Sequence, residues 1–489
     1  MLRRLVWPTL AAALLAALAA WAVTAAPPTQ APLSSAANPP NDPLYPQQWG
    51  LQGAFGIQAA DAWAVTTGGD GVITIALLDS GFDQSHPDLA DRWENAYNFL
   101  ETGWPSQDDW TDNYGTALAG VVGATGNNAT GVAGATWRPK LMPLRVVSRR
   151  TSGDGAGLPQ RTFNTASLIA QALDYAAARG VRIAVFGFSL GNLSDTDQTT
   201  IRDAIRRNQD SATGRNLVVI APVGEIYPGQ NPVPTPYPAA LDGDGVSVDH
   251  RRDRLVPTGL ALQSSGGQLI VPTGAFVDLA APGDMITTTS RGANASPSHG
   301  YDTLRYGTNY AAGYVAGVAA LALSVNPSLS PEQTLQTLSQ SARDLGAAGR
   351  DDVYGAGLVN AGQAVLQTRH FLNLTPNTVR LARRVGATAT ITNPYTLGAS
   401  WALVSAPPWL TVSAPTNTGG GSAIQVTLSQ DPGCLDSGGG TVVFRSTMPR
   451  SFNTQEIRVE VADVGPCRRL FLPYLARACT TPGNCAIGE

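Results

Sequence analysis

Apolar strand-like runs alternate with helix-like segments over residues 42–368, and this alternation restricts the chain to few folds. The strand-like runs read GVITIALLDS, LMPLRVV, VRIAVFGFSL and NLVVIAPVG. Small residues at 115–123, an amphipathic pattern at 167–179 and an Ala- and Val-rich run at 310–325 indicate helices. The pattern predicts an α/β fold, a mostly parallel sheet with helices on both faces. In such sheets sites form beyond the carboxyl ends of strands, where Asp79 lies.

From about residue 371 the helical periodicity ends and short alternating runs replace it. SAIQVTLSQ, GTVVFRST and EIRVEVAD are such runs, separated by the Gly-rich turns TNTGGGS and DSGGG. They predict an all-β domain, an antiparallel sandwich of roughly six to eight strands. Trp401 and Trp409 are predicted to anchor its core, with a sugar-stacking platform as the alternative.

The N-terminus has the composition of an export signal. Arg3 and Arg4 precede an apolar run from Thr9 to Ala22, and small residues follow it. This pattern predicts a signal peptide and a secreted protein with no membrane span after cleavage. An uncleaved membrane anchor is the alternative, and attachment to the cell surface is left open. The predicted organisation is signal peptide 1–25, flexible leader 26–43, α/β domain 44–368, β-sandwich 371–464 and tail 465–489.

The cysteines are confined to the C-terminal part of the chain, at Cys434, Cys467, Cys479 and Cys485. In an exported protein this usage predicts disulfides. The pairing is open, although the smallest loops favour Cys434–Cys467 and Cys479–Cys485. A zinc site is disfavoured because neither CxxC nor suitably spaced histidines occur near them.

Composition excludes some partners. The 489 residues carry a net charge of -4 and 43% are hydrophobic, which is typical of a globular protein. Because the sequence has no basic block, we do not expect nucleic-acid binding.

Three motifs carry a family resemblance. IALLDSGFDQSHPDL surrounds Asp79, DNYGTALAGVVGA surrounds Tyr114 and YGTNYAAGYVAGVAAL surrounds Asn309. With NDPLYPQQWGL, SLG, YPAAL, VDLAAPG and GAGLVNAGQAV, they make residues 42–368 resemble the subtilisin family of serine peptidases. The resemblance implies that Asp79 stands at the orienting aspartate, Tyr114 at the catalytic histidine and Asn309 at the nucleophilic serine.

Two of these three positions carry the wrong chemistry for acyl transfer. A triad needs a nucleophilic hydroxyl and a base that takes its proton. The phenol of Tyr114 has a pKa of ~10 in model peptides, and the amide of Asn309 is not a competent nucleophile. Asp79 is either a residual triad member or a carboxylate that holds a loop through backbone N–H groups; the second interpretation is favoured.

Further positions near the motifs also depart from the family. Glu225 matches the oxyanion-hole asparagine, where a carboxylate would repel developing negative charge. His86 matches a structural histidine, and His250, His299 and His370 fall in loop-like segments or at element ends. Tyr310 and Tyr314 share a helix face and are predicted to fill the core, with an exposed aromatic patch as the alternative.

Two other sites follow from the resemblance. Ser189, Leu190 and Gly191 match the strand that lines the substrate groove, to which an extended peptide adds through main-chain hydrogen bonds. Asp88 and Asn128, with Gln47 or Gln48, match a structural calcium site. The alternatives are a strand kept for folding and a turn in which Asn128 bonds its own backbone.

We therefore expect a secreted pseudopeptidase that binds a protein or peptide, with no catalytic cofactor. An active serine endopeptidase with relocated residues is one alternative. Polysaccharide or cell-surface binding through the sandwich is another.

Overall fold

The computed structural model describes residues 39–69, 71–101, 113–149, 159–160, 165–210, 213–224, 237–242, 273–291, 299–369, 374–392, 401–413, 416–417, 423–432, 439–446 and 454–462. All of them belong to one compact unit, residues 37–489. The predictions for the signal peptide, the four cysteines, the tail and Glu225 lie outside the described residues.

The first domain alternates strands and helices along the chain. Its strands are β1 (Thr74–Asp79), β2 (Tyr97–Asn98), β3 (Lys140–Arg145), β4 (Ser148–Arg149), β5 (Pro159–Gln160), β6 (Ile183–Phe186), β7 (Val218–Ile220), β8 (Ile286–Arg291) and β9 (His299–Arg305). Its helices are α1 (Ala59–Trp63), α2 (Tyr114–Gly123), α3 (Thr165–Ala177), α4 (Asp195–Asn208), α5 (Thr308–Val325), α6 (Pro331–Ser341) and α7 (Ala361–Arg369). Short 3-10 turns cover Tyr45–Gln47 and Ala239–Asp242.

A parallel sheet forms the centre of this domain, in the order β2-β3-β1-β6-β7. Its central strand β1 separates two cores, because successive side chains point to opposite faces. Ile75 and Leu77 pack in the core that includes α2 and α5, whereas Ala76 and Leu78 pack with α3 and α4. The predicted sheet with helices on both faces is confirmed. Strands β8 and β9 form a separate antiparallel hairpin.

Helix α5 is a buried helix of the domain. It is long and apolar enough to cross a membrane by length and composition, yet 89% of it is buried inside the protein. Tyr310 and Tyr314 are 0% and 1% exposed, so the core-packing prediction for both is confirmed. Gly313 lies against α2, where an added Cβ would stand 2.9 Å from the Leu118 side chain. Glycine therefore sets the short distance between α2 and α5.

The second domain is built from strands β10 (Thr378–Leu381), β11 (Thr388–Thr392), β12 (Trp401–Ser405), β13 (Leu410–Val412), β14 (Thr416–Asn417), β15 (Ala423–Leu428), β16 (Gly439–Ser446) and β17 (Thr454–Val461). Sheets β10-β17-β16-β12-β14 and β11-β15-β13 share one core. Trp401 is 1% exposed and meets the Phe444 ring edge-on at 5.1 Å, as predicted for a core anchor. Unlike the predicted antiparallel arrangement, β10 pairs with β17 in parallel. The first and last strands that the structure describes in this domain therefore run in the same direction.

Helix α6 begins with a reciprocal cap that should contribute measurably to stability. Ser330 Oγ accepts the Gln333 N–H at 3.1 Å, and Gln333 Oε1 accepts the Ser330 N–H at 2.9 Å. We expect Ser330→Ala to lower the free energy of unfolding by about 1 kcal/mol, because a helix-end donor loses its acceptor. Equilibrium urea unfolding would measure this, with Ser339→Ala on the same helix as the control. Equal effects of the two changes would contradict the assignment.

Candidate active site

Asp79 ends the central strand β1 and is fully buried. Its Oδ1 accepts the N–H of Ser80 at 2.7 Å. Gly187, which follows the neighbouring strand β6, approaches so closely that a Cβ there would lie 1.9 Å from Asp79 Oδ2. The carboxylate thus bonds the backbone at the start of the loop that follows β1.

Tyr114 is the first residue of α2 and is half-buried. The preceding residue, Asn113, has a left-handed φ of 54° and turns the chain into the helix. Gly115 allows the helix to start against the loop after β1, because an added Cβ would lie 2.0 Å from the Gly81 carbonyl oxygen. This contact brings the start of α2 against the loop that follows β1, at a residue two positions beyond Asp79.

Asn309 is the second residue of α5 and is 6% exposed. Its Nδ2 is buried and has no acceptor among the residues that the structure describes. The preceding Thr308 accepts the N–H of Gly224 through its Oγ1 at 3.0 Å. This bond ties the start of α5 to the segment that leads into Glu225, the predicted oxyanion-hole position.

Arg305 adds a positive charge that the sequence analysis did not anticipate. Its guanidinium carbon lies 5.8 Å from the centre of the Tyr114 ring, and its Nε lies 2.8 Å from Asp302 Oδ2. Burial lowers the pKa of Arg305, but interactions with Tyr310, Asp302 and Tyr114 outweigh it and leave the pKa raised. A permanent cation therefore connects the residue at the histidine position with the residue that follows Asn309.

A comparison with models of protein families identifies the family to which this domain belongs. Residues 69–357, more than half of the chain, match the model of the subtilase family, peptidase S8. The chain belongs to the subtilase family. The matched range contains Asp79, Tyr114 and Asn309, so the subtilase scaffold holds an aspartate, a phenol and an amide at these positions.

Individual relatives agree with this assignment. The subtilase is 30% identical over 335 residues to the thermophilic serine proteinase of Bacillus sp. strain AK1, covering 68% of this chain and 71% of the relative. It is 31% identical over 332 residues to the halolysin-like extracellular serine protease Nep of Natrialba magadii, covering 67% and 52% of the two chains. A solved protease structure from Pseudoalteromonas arctica matches with a TM-score of 0.52 at 24% identity, covering 67% and 99%. That last likeness supports the fold alone.

The predicted groove segment of the subtilase is anchored on one side. Leu190 is buried and forms a two-way backbone pair with Tyr237, with N···O distances of 2.6 and 2.9 Å. Ser189 and Gly191 on either side of it are partly exposed. An added Cβ on Gly224 would lie 2.8 Å from Ser189 Cβ, so the segment also packs against the residue that precedes Glu225. The groove position and the start of α5 therefore share Gly224 as a neighbour.

Of the four histidines, the structure describes the side chain of His86. It is fully buried, its Nδ1 accepts the Asp88 N–H at 3.2 Å, and its Nε2 lies 2.9 Å from the Gly300 carbonyl oxygen. The first bond requires the proton to be on Nε2, which then donates to Gly300. Both ring nitrogens are engaged in structural bonds, as the resemblance implied for this position.

Asp88 and Asn128, the predicted metal ligands, are brought together by the subtilase fold. Asn128 Nδ2 donates to Asp88 Oδ1 at 2.8 Å, and Asn128 Oδ1 accepts the Thr130 N–H at 2.8 Å. The second bond forms the turn that was predicted as the alternative to a calcium site. Gln48 bonds the backbone of Ala133 through both its Oε1 and its Nε2.

Proposed function

We propose that this subtilase is a secreted pseudopeptidase that binds protein or peptide ligands without hydrolysing them. The observation that carries the proposal is the guanidinium of Arg305, which lies 5.8 Å from the centre of the Tyr114 ring. Tyr114 matches the position of the catalytic base in the family. A permanent cation there disfavours any protonated base, whereas a serine peptidase needs its base to gain a proton in the transition state.

The chemistry of the other positions points the same way. The amide of Asn309 provides no hydroxyl for an acyl-enzyme, and its Nδ2 is buried. In subtilisin, another member of the family, removing the serine or the histidine alone lowers turnover by about 10⁶. A chain that lacks both would retain background rates of hydrolysis.

Ligand binding is supported by the groove segment Ser189–Gly191. Because Leu190 already pairs with Tyr237 on one side, an extended peptide would pair along the other. Secretion is supported by the signal-like N-terminus and by the extracellular relative from Natrialba magadii. We place the protein outside the cell, with surface attachment as a variant of the same proposal.

Incubation of the purified chain with denatured casein tests the absence of hydrolysis. We expect no cleavage by the wild type or by Asp79→Ala. Cleavage by the wild type that Asp79→Ala abolishes would overturn the proposal and imply relocated catalytic residues. Equal cleavage by both that persists through a further purification step would also overturn it, whereas cleavage lost on purification would identify a contaminant.

Binding is tested separately with fluorescently labelled, unfolded casein. We expect the wild type to bind it, and Gly191→Trp to weaken binding at least tenfold because the indole blocks the groove segment. Gln171→Trp, on the exposed face of α3, is the matched control and should bind like the wild type. Equal binding by Gly191→Trp would place the ligand elsewhere.

A polar cleft on the second domain favours a second candidate function, polysaccharide binding. The cleft measures about 360 Å³ and is lined by Asn377, Thr378, Gly439, Gly440, Thr441, Glu456 and Arg458. Trp409 packs against Gly440 at its edge. Amide, hydroxyl, carboxylate and guanidinium groups suit sugar hydroxyls. Co-sedimentation with insoluble polysaccharides, lost in Glu456→Ala but kept in Asp352→Ala, would support this function.

A further inference from the structure

The loop 126–132 encloses two buried carboxylates of its own chain. Asp42, from the N-terminal arm (residues 39–58, before α1), is 3% exposed, and Asp88 is 0% exposed. The resemblance to the family implies calcium at this loop. The direction of the backbone groups decides whether the residues fit that ion, since calcium requires about six to eight oxygen ligands.

Backbone N–H groups of the loop point at these acceptors. Asn127 and Asn128 donate to the two oxygens of Asp42, at 2.7 and 3.2 Å. Val132 donates to Asp88 Oδ2 at 3.0 Å. Between them, the Ala129 N–H reaches Asn41 Oδ1 at 2.8 Å. Four backbone N–H groups of the loop thus point at side-chain oxygens, whereas calcium needs oxygens that point at the ion.

The backbone conformation explains this polarity. Asn127, Ala129 and Gly131 have positive φ values of 59°, 60° and 43°. Left-handed residues at alternate positions point successive N–H groups to the same side, which makes a concave site for anions. Ala129 is not a glycine or an asparagine, so its left-handed conformation costs energy that the bonds to Asp42 and Asn41 offset.

Tyr301 completes the enclosure of Asp88. Its hydroxyl interacts with the carboxylate and lowers the pKa of Asp88, and an added Cβ on Gly131 would lie 2.1 Å from that hydroxyl. The His86 ring meets the Tyr301 ring edge-on at 5.3 Å and fixes its orientation. Burial and then the charge of Asp88 raise the pKa of Tyr301, so the phenol remains a donor.

We propose that loop 126–132 and Tyr301 take the place of calcium in this subtilase. The side-chain oxygens of Asp42, Asp88 and Asn128 accept bonds from the protein itself, and the Gly131 carbonyl accepts the Leu44 N–H at 2.8 Å. The residues therefore do not fit the ion. The enclosure fixes the N-terminal arm to the domain, and stability is independent of calcium.

The negative charge of the two carboxylates favours the opposite result, in which the loop binds calcium. Burial raises the pKa of Asp88 and the charge of Asp42 raises it further, whereas bonds from Asn128, Val132 and Tyr301 lower it. Either a cation or the inward N–H groups would stabilise this pair of carboxylates. Whether the stability of the protein depends on calcium distinguishes the cation from the N–H groups.

Thermal unfolding of the full chain in millimolar calcium and in EDTA is the decisive experiment. We expect the two melting temperatures to agree within about 1 °C. We expect Asp42→Asn to lower the melting temperature by roughly 3–6 °C in both buffers, because the bonds it weakens do not involve an ion. Asp352→Asn, at an exposed aspartate, should change neither value.

Two results would overturn the proposal. One is a wild-type melting temperature that calcium raises by roughly 5 °C or more, as a specifically bound ion would do. The other is a loss in Asp42→Asn that occurs in calcium and vanishes in EDTA. If Asp42→Asn fails to fold, the comparison of the wild type in the two buffers still decides the question.

Discussion

The variant Tyr114→His/Glu225→Asn/Asn309→Ser is expected to hydrolyse denatured casein at least about 10²-fold faster than the wild type. The scaffold retains Asp79 at the end of β1, α2 begins against the loop that follows β1, and Thr308 fixes the start of α5 through Gly224. New side chains at 114 and 309 would therefore start from suitable positions. Initial rates on labelled casein would measure the gain.

Adding Arg305→Leu to this variant should raise the rate about tenfold more. A histidine at 114 would lie near the guanidinium, which lowers the pKa of the imidazole and opposes its protonation during catalysis. A pH–rate profile should show the apparent pKa of the base rising after this change. Asp79→Ala in the same background is the control and should remove the gained activity. A folded variant without activity would show that the scaffold no longer positions a triad.

Tyr314→Ala is expected to cost about 3–5 kcal/mol of unfolding free energy, the largest loss from a single truncation that we predict. Tyr314 is 1% exposed, and its ring and hydroxyl pack so closely on Gly50 that an added Cβ there would lie 2.5 Å from the hydroxyl. Truncation leaves a cavity between α5 and the N-terminal arm, which neighbouring backbone cannot fill. Equilibrium denaturation in urea measures the loss.

Tyr306→Ala serves as the matched control, because Tyr306 is 37% exposed and precedes the same helix. It should cost less than about 1 kcal/mol. A similar loss for both tyrosines would mean that Tyr314 does not fill the core in the way its burial indicates.

Much of the fold could be predicted because burial leaves a periodic pattern in the sequence. The uninterrupted apolar run before Asp79 became β1, and the small residues after Tyr114 became α2. The pairing of β10 with β17 could not be predicted, since alternation shows which face is buried and not which strand lies alongside.

The site was predicted only in part. The motifs around Asp79, Tyr114 and Asn309 indicated where β1 ends and where α2 and α5 begin, whereas the roles of the three residues remain a prediction. Arg305 was missed because its position depends on the hairpin β8–β9, which brings a distant segment to Tyr114. In the sequence, Arg305 could have been recognised as a charged residue shortly before the start of an apolar helix.

The loop 126–132 shows a different limit of prediction from sequence. Its residues, GNNATGV, suit either a cation or an anion, since every peptide unit carries both a donor and an acceptor. The left-handed conformation of Ala129 decides which group points inward, and alanine has no preference for that conformation.

The glycine contact between α2 and α5 has a consequence for motion. Where the helices meet, the side chains of Leu118 and Val121 on α2 pack directly against Gly313 of α5, so the helices cannot slide past each other without a clash. Residues 114 and 309 therefore move as parts of one rigid body, and their separation should stay nearly constant as the protein fluctuates. A ligand that reaches residues 114 and 309 therefore meets a rigid surface, so any adjustment to its shape must come from other segments of the protein.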